Sequence, residues 1–126
     1  MTGERILVVE DNEKNMKLFR DVLVATGFRT LEATTGGEPV DMASEHTPDL
    51  VQKDIQLPDL DGVQTLRRLR ADTRTASIPV LALTAQAMRG DRERFLAEGF
   101  DGYVSKPVNV RELIGIVRRH CEGRLG

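Results

Sequence analysis

Short apolar runs alternate along the chain with segments of helical periodicity. The runs are rich in β-favouring residues and predict strands at about 5–9, 30–33, 50–54, 80–84 and 102–105. Between them, apolar residues recur at three- and four-residue spacing, as in Met16, Phe19, Val22 and Leu23. This alternation predicts an α/β fold, a doubly wound parallel sheet of five strands with helices on both faces.

Glycine and proline residues mark where the predicted helices begin and end. Gly27 and Gly99 are expected to end the first and fourth helices, the latter running from about 88 to 98. Pro58 and Gly62 are expected to bracket a loop, so the third helix should begin near Val63. The fifth helix is predicted at about 110–121. The prediction is one domain over residues 1–126, with its core at about 5–121 and no output domain.

Polar residues stand at or just after the ends of four of these strands. They are Glu10 and Asp11, Asp54, Thr84, and Lys106. The carboxyl ends of parallel strands line one crevice, and in the flavodoxin-like strand order 2-1-3-4-5 the first and third strands are neighbours. Three carboxylates held together repel, which a divalent cation or an ammonium can offset. Oxygen ligands select a hard cation such as Mg²⁺, and one carboxylate could be a nucleophile toward phosphorus.

Composition narrows the class of protein. The chain has 126 residues, and its net charge of -2 argues against a general nucleic-acid binder. A single cysteine, Cys121, rules out an internal disulfide and is expected to be half-exposed. No apolar stretch reaches the roughly 20 residues of a membrane span. A cytoplasmic protein without membrane insertion is the expectation.

The arginines between 67 and 94 are expected to form a solvated helical face or, alternatively, a partner surface.

Four motifs resemble the receiver domain of two-component response regulators. They are VVEDN at 8–12, KDIQLPDLDG at 53–62, LTA at 83–85 and YVSKP at 103–107. The stretch VEDNEKNMKLF at 9–19 is also similar to the single-domain DivK-type receivers of bacterial cell-cycle control. The resemblance implies a signalling protein rather than an enzyme. It would accept a phosphoryl group from a histidine kinase or histidine phosphotransfer protein and act on a downstream protein effector, without binding nucleic acid directly.

The resemblance also implies a role for individual residues. Asp54 would be the phosphoacceptor, and Thr84 and Lys106 would contact the phosphoryl group. Tyr103 would turn inward as Thr84 moves. The Mg²⁺ (or Mn²⁺) ligands would be Glu10, Asp11, Asp54 and the backbone carbonyl of Gln56. Gln56 and Gln86 would tune access of water to the acyl phosphate. The kinase-facing surface would include Asn15, Met16 and Pro107, and the output surface Met88, Arg92, Phe95, Tyr103 and Arg111.

The strand that carries Asp54 departs from the family pattern. Gln52 and Lys53 occupy positions where the family has large apolar residues. A central strand is covered on both faces, and burying an unpaired amide costs roughly 1–3 kcal/mol. By strand alternation Lys53 should point away from the side chain of Asp54. The hypothesis is that the pair destabilises the fold and leaves the site intact.

Three other functions compete with the phosphoacceptor. An aspartyl-phosphate phosphatase would need a DxD motif after the first strand, where Glu10-Asp11-Asn12 stands. A flavin-binding module would need a phosphate-friendly loop at that place, and the loop is acidic. The third alternative is a receiver fold that binds partners without phosphorylation. It is kept because Gln52 and Lys53 on the third strand depart from the family pattern.

Overall fold

The computed structural model describes residues 4–34, 38–55, 60–84, 91–105 and 108–125. Strands and helices alternate from end to end. The strands are β1 Arg5–Val9, β2 Arg29–Ala33, β3 Leu50–Ile55, β4 Val80–Thr84 and β5 Gly102–Ser105. The helices are α1 Glu13–Ala25, α2 Glu38–His46, α3 Leu60–Ala71, α4 Asp91–Glu98 and α5 Val110–Leu125.

The strands form one parallel sheet in the order β2-β1-β3-β4-β5. The central strand β3 pairs with β1 through Val9 and Lys53 and with β4 through Ile55 and Thr84. Every residue of β3 is buried. The predicted fold and strand order are therefore confirmed, and the carboxyl ends of β1, β3 and β4 lie side by side.

Two apolar layers sandwich the sheet. One layer packs α1 and α5 on alternate strand residues and includes Phe19, Leu81 and Val117. The other layer packs α2 and α3 on the opposite face and includes Val9 and Leu66. Because side chains alternate across a strand, successive buried apolar residues of a strand belong to different layers, as Val8 and Val9 of β1 do. The prediction that Cys121 is half-exposed was wrong, since α5 buries it in the first layer at 3% exposure.

The predicted ends of the first and fourth helices and the predicted start of the fifth are confirmed, and two other helix ends differ. The predicted start of the fourth helix at about 88 lies outside the described residues. Gly27 and Gly99 follow α1 and α4 with φ of 104° and 113°, a backbone conformation that glycine adopts without strain. Helix α3 begins at Leu60, so Gly62 lies inside the helix and not in a loop. A glycine costs a helix only about 1 kcal/mol relative to alanine, which burial of Leu66 in the same helix offsets. Helix α5 continues to Leu125, beyond the predicted end at Cys121.

None of the helices in the described ranges has the length and apolar character needed to cross a bilayer.

Candidate functional site

Three carboxylates meet at the carboxyl edge of the sheet. Glu10 and Asp11 directly follow β1, and Asp54 is the fifth residue of β3, the neighbouring strand. One oxygen of each side chain lies within 4.8 Å of an oxygen of the others. Glu10 is 3% exposed and Asp54 is 9% exposed, whereas Asp11 is open to solvent. The predicted meeting of these residues is therefore observed.

The donors of this cluster suit a hard divalent cation. Two like charges about 4 Å apart repel by roughly 4 kcal/mol at an effective dielectric constant near 20. Burial of Glu10 and Asp54 limits the screening of this repulsion by solvent. Carboxylate oxygens in a partly open site match the preference of Mg²⁺, which keeps several waters and binds through one or two carboxylates. The chemistry and spacing of the residues thus fit a cation of this kind.

The turn between β1 and α1 holds the acidic cluster in place. The backbone N–H of Glu10 donates to the Ala33 carbonyl of β2 at 3.0 Å. The Glu10 carboxylate accepts a hydrogen bond of 3.1 Å from the backbone N–H of Asn12. Asn12 caps α1, because its side-chain oxygen accepts from the N–H groups of Lys14 and Asn15 at 2.9 and 3.1 Å. The Asn12 cap and the hydrogen bond from Asn12 to the Glu10 carboxylate together fix the position of the cluster relative to α1.

Thr84 lies at the same edge as the acidic cluster. It is the last residue of β4, it is 1% exposed, and it pairs with Ile55 of β3 and Ser105 of β5. Its place beside the end of β3 is the one predicted from the sequence. Lys106 directly follows β5 in the sequence, and it lies outside the described residues, as do Pro107, Gln56, Gln86 and Met88.

Tyr103 is half-buried on β5, where it pairs with Ala82 of β4. It packs against the apolar layer under α2 and α3. It also lines a groove of about 320 Å³ beside β5 and α5, with Leu96 and His120 among the other lining residues. Tyr103 thus stands between the core and an open surface.

The remaining predicted surface residues differ in accessibility. Arg111 on α5 is exposed and Asn15 on α1 is half-buried. Met16 is 8% exposed and belongs to the core layer under α1 and α5, so it offers a partner little surface. The side chains of Arg92 and Phe95 lie outside the described part of the chain.

Both polar residues of β3 are buried, as the sequence predicted. Gln52 is 1% exposed, and neither its amide nitrogen nor its amide oxygen has a hydrogen-bond partner among the described residues. Lys53 is 4% exposed, and its Nζ donates to the backbone carbonyl of Asp54 at 3.3 Å. Strand alternation alone does not predict this contact, because it places the Lys53 Cβ on the face opposite that of Asp54.

The sequence and the fold resemble those of known signalling domains. The profile of the response regulator receiver domain family matches residues 6–118. The polar-differentiation response regulators DivK of Brucella ovis and Brucella melitensis are each 44% identical over 115 residues, covering 91% of this chain and 94% of theirs.

Two solved structures have the same architecture. One is the receiver domain of a sensor histidine kinase from Pseudomonas aeruginosa, described with a magnesium ion coordinated in its active site cleft. It has a TM-score of 0.85 and 36% identity over 96% of this chain and 99% of that one. The other is the receiver domain of a Francisella response regulator, with a TM-score of 0.85 and 27% identity over 95% and 98% of the two chains.

Proposed function

Because the chain belongs to the response regulator receiver domain family of two-component signalling, we propose that it is a stand-alone phosphoacceptor switch. Asp54 accepts a phosphoryl group from a histidine kinase or a histidine phosphotransfer protein, and the phosphorylated chain signals to a downstream protein effector. The observation that carries this proposal is the meeting of Glu10, Asp11 and Asp54 within 4.8 Å at the carboxyl edge of the sheet.

The transfer uses the Asp54 carboxylate as the nucleophile. A carboxylate oxygen attacks phosphorus, the new O–P bond forms, and the P–N bond to the donor's phosphohistidine breaks. The electron pair of that bond returns to the imidazole nitrogen, which then takes a proton. Little other covalent chemistry is needed, so positioning and charge neutralisation account for most of the catalysis.

The neighbouring residues supply this neutralisation. Bound Mg²⁺ supplies positive charge for the transferring phosphoryl group. Glu10, Asp11, Asp54 and the backbone carbonyl of Gln56 would hold the cation. The Thr84 hydroxyl donates to a phosphoryl oxygen, and the Lys106 ammonium pairs with another. Gln56 and Gln86 set how readily water reaches the acyl phosphate.

Phosphorylation acts by shifting a two-state equilibrium. A phosphoryl group that draws Thr84 toward Asp54 favours a conformation in which Tyr103 turns inward from the groove beside β5. The output surface that changes contains Met88, Arg92, Phe95, Tyr103 and Arg111. Asn15 and Pro107 contact the phosphoryl donor, whereas Met16 is buried in the core layer. The chain acts as a signalling protein in the cytoplasm, and its only turnover is its own phosphorylation and dephosphorylation.

The test is phosphorylation of matched variants. The purified chain is incubated with acetyl phosphate or a phosphorylated histidine kinase, with MgCl₂ or with EDTA, and its intact mass is measured. The unchanged chain and Asp41→Asn, which alters an exposed carboxylate on α2, should gain one phosphoryl group only with Mg²⁺. Asp54→Asn should gain none. Labelling of Asp54→Asn would reject Asp54 as the acceptor.

Burial of Lys53 against Asp54 favours one alternative, a receiver fold that binds its partner without phosphorylation. In that case neither donor would label the chain, beryllofluoride would not bind, and Asp54→Asn would keep its affinity for the effector. Labelling that requires Asp54, with effector affinity that changes on labelling, would exclude this alternative.

A further inference from the structure

Lys53 places a buried cation next to the acidic cluster. It precedes Asp54 on the central strand, its side chain is 4% exposed, and its Nζ lies 3.3 Å from the Asp54 carbonyl oxygen, to which it donates. Although the Cβ of Lys53 lies on the other face of the sheet, this hydrogen bond brings the ammonium back to the main chain of Asp54.

The ammonium is close enough to act on the carboxylates. The carbonyl and the carboxylate of Asp54 are only a few bonds apart, so Nζ lies within roughly 9 Å of the carboxylate. The Debye length at physiological salt is about 8 Å, and buried charges are screened less than exposed ones. The positive charge of Lys53 therefore raises the electrostatic potential at the Asp54 carboxylate. It also raises the potential at any ion that Glu10 and Asp11 hold together with Asp54.

We propose that Lys53 is a built-in counter-ion of the acidic cluster that weakens its affinity for divalent cations. The inference rests on the proposed function, in which this cluster holds Mg²⁺. A fixed positive charge stabilises the cation-free cluster, with its three carboxylate charges, more than the cation-loaded cluster, whose net negative charge is smaller. The difference opposes cation binding, so this chain needs more Mg²⁺ to reach its phosphorylation-competent state than it would with a neutral residue at position 53.

Gln52 offers a matched control on the same strand. It is as buried as Lys53, at 1% exposure, and it is also polar, but it is uncharged. The register places it between Val8 of β1 and Leu81 of β4, on the face opposite that of Lys53. Replacing Gln52 changes packing and polarity in β3 without changing the charge near the cluster.

The experiment compares Mg²⁺ binding to four chains. MgCl₂ is titrated calorimetrically, at fixed pH and ionic strength, into the unchanged chain, Lys53→Met, Lys53→Gln and Gln52→Leu. Removing a unit charge at this distance should lower the dissociation constant of Mg²⁺ roughly fivefold or more in both Lys53 variants. Gln52→Leu should leave it unchanged. The rise in melting temperature on adding Mg²⁺ should be larger for both Lys53 variants, since it follows the affinity.

Each outcome bears on the inference. Equal dissociation constants in all four chains would overturn it and leave the cation site standing. Tightening in Lys53→Met alone would assign the effect to packing and would also overturn it. No binding by any chain would reject the cation site itself, and the inference with it. If Lys53→Met does not fold, the double variant Gln52→Leu with Lys53→Met is compared with Gln52→Leu, and the same fivefold tightening is expected.

Discussion

At the scale of single residues, Gln52 is a costly departure from a well-packed core. Its amide is 1% exposed, and neither of its polar atoms has a hydrogen-bond partner in the described part of the chain. Taking a polar group out of water without a compensating hydrogen bond costs roughly 1–3 kcal/mol in proteins. Its neighbours across the sheet, Val8 and Leu81, are apolar and fully buried.

Replacing Gln52 with leucine should therefore stabilise the chain. Gln52→Leu keeps most of the side-chain volume and removes the buried amide, so the free energy of unfolding should rise by about 1–3 kcal/mol. Urea denaturation, followed by circular dichroism, measures the change. Gln64→Leu on the exposed face of α3 is the control and should change stability by less than about 0.5 kcal/mol. An unchanged or lower stability of Gln52→Leu would contradict the prediction.

Asp72 shows how a surface residue responds to a local partner. The Arg74 side chain donates to its carboxylate at 3.0 and 3.3 Å, and the Arg74 backbone N–H donates at 2.8 Å. These hydrogen bonds favour the charged form and lower the pKa of Asp72 from 3.8 to about 2. A lowered pKa means that the interaction stabilises the fold above about pH 4, and that this stabilisation is lost as the pH falls through about 2.

The Arg74→Met variant should return the pKa of Asp72 toward its ordinary value, because the side-chain hydrogen bonds from Arg74 are the largest cause of the shift. Carbon-detected NMR titration of the Asp72 carboxyl measures it directly. Arg67→Met, a change of another exposed arginine, should leave the titration of Asp72 as it is. The same low midpoint in Arg74→Met would show that Arg74 does not cause the shift.

At the scale of elements, Arg70 joins segments that the sequence pattern leaves separate. From the end of α3, its guanidinium donates to the carbonyls of Ala76 and Ile78 at 3.1 and 2.7 Å. It also donates to the Gly99 carbonyl after α4 and to the Asp101 carboxylate before β5, at 3.2 and 2.7 Å. The expectation that the arginines between 67 and 94 form a solvated helical face or a partner surface is wrong for this residue, whose guanidinium bonds within the fold.

Loss of this arginine should loosen the end of the sheet opposite the acidic cluster. Arg70→Met removes the donors of four carbonyl or carboxylate acceptors, and the free energy of unfolding should fall by about 1–3 kcal/mol. Chemical denaturation of Arg70→Met and of Arg68→Met, whose side chain is exposed, makes the comparison. Equal stability of the two variants would show that the Arg70 contacts contribute nothing.

At the scale of the whole molecule, the sheet is most protected at its centre. Residues of β3 and β4 are buried throughout, and β1 is buried after Arg5. The edge strands β2 and β5 each contain one buried residue. Regions with many buried contacts open only when the whole protein unfolds, at the full free energy of unfolding. Exposed edges open locally at a lower free energy.

Amide hydrogen exchange should therefore divide the sheet into two classes. We expect the slowest exchange in β1, β3 and β4 and exchange at least about tenfold faster in β2 and β5, since a local opening costs less than a global one. Exchange measured by NMR at neutral pH resolves the strands individually. Uniform protection across all five strands would indicate that the sheet opens only as a unit.

The amino-acid sequence by itself determined the elements and the edge at which Glu10, Asp54 and Thr84 would meet. The reason is that side-chain periodicity and the polarity of parallel strands are local properties. The β3 residues Gln52 and Lys53 could likewise be recognised as misfits, because their type conflicts with a buried strand.

Only the tertiary structure decided which partners these residues found. The amide of Gln52 lacks a described partner, the Lys53 ammonium returns to the Asp54 carbonyl, and Arg70 reaches Asp101 across 31 positions of sequence. Such contacts depend on the paths of long side chains and on segments brought together by folding. A linear pattern of polar and apolar residues encodes the face on which a side chain begins, and packing decides where its charged end lies.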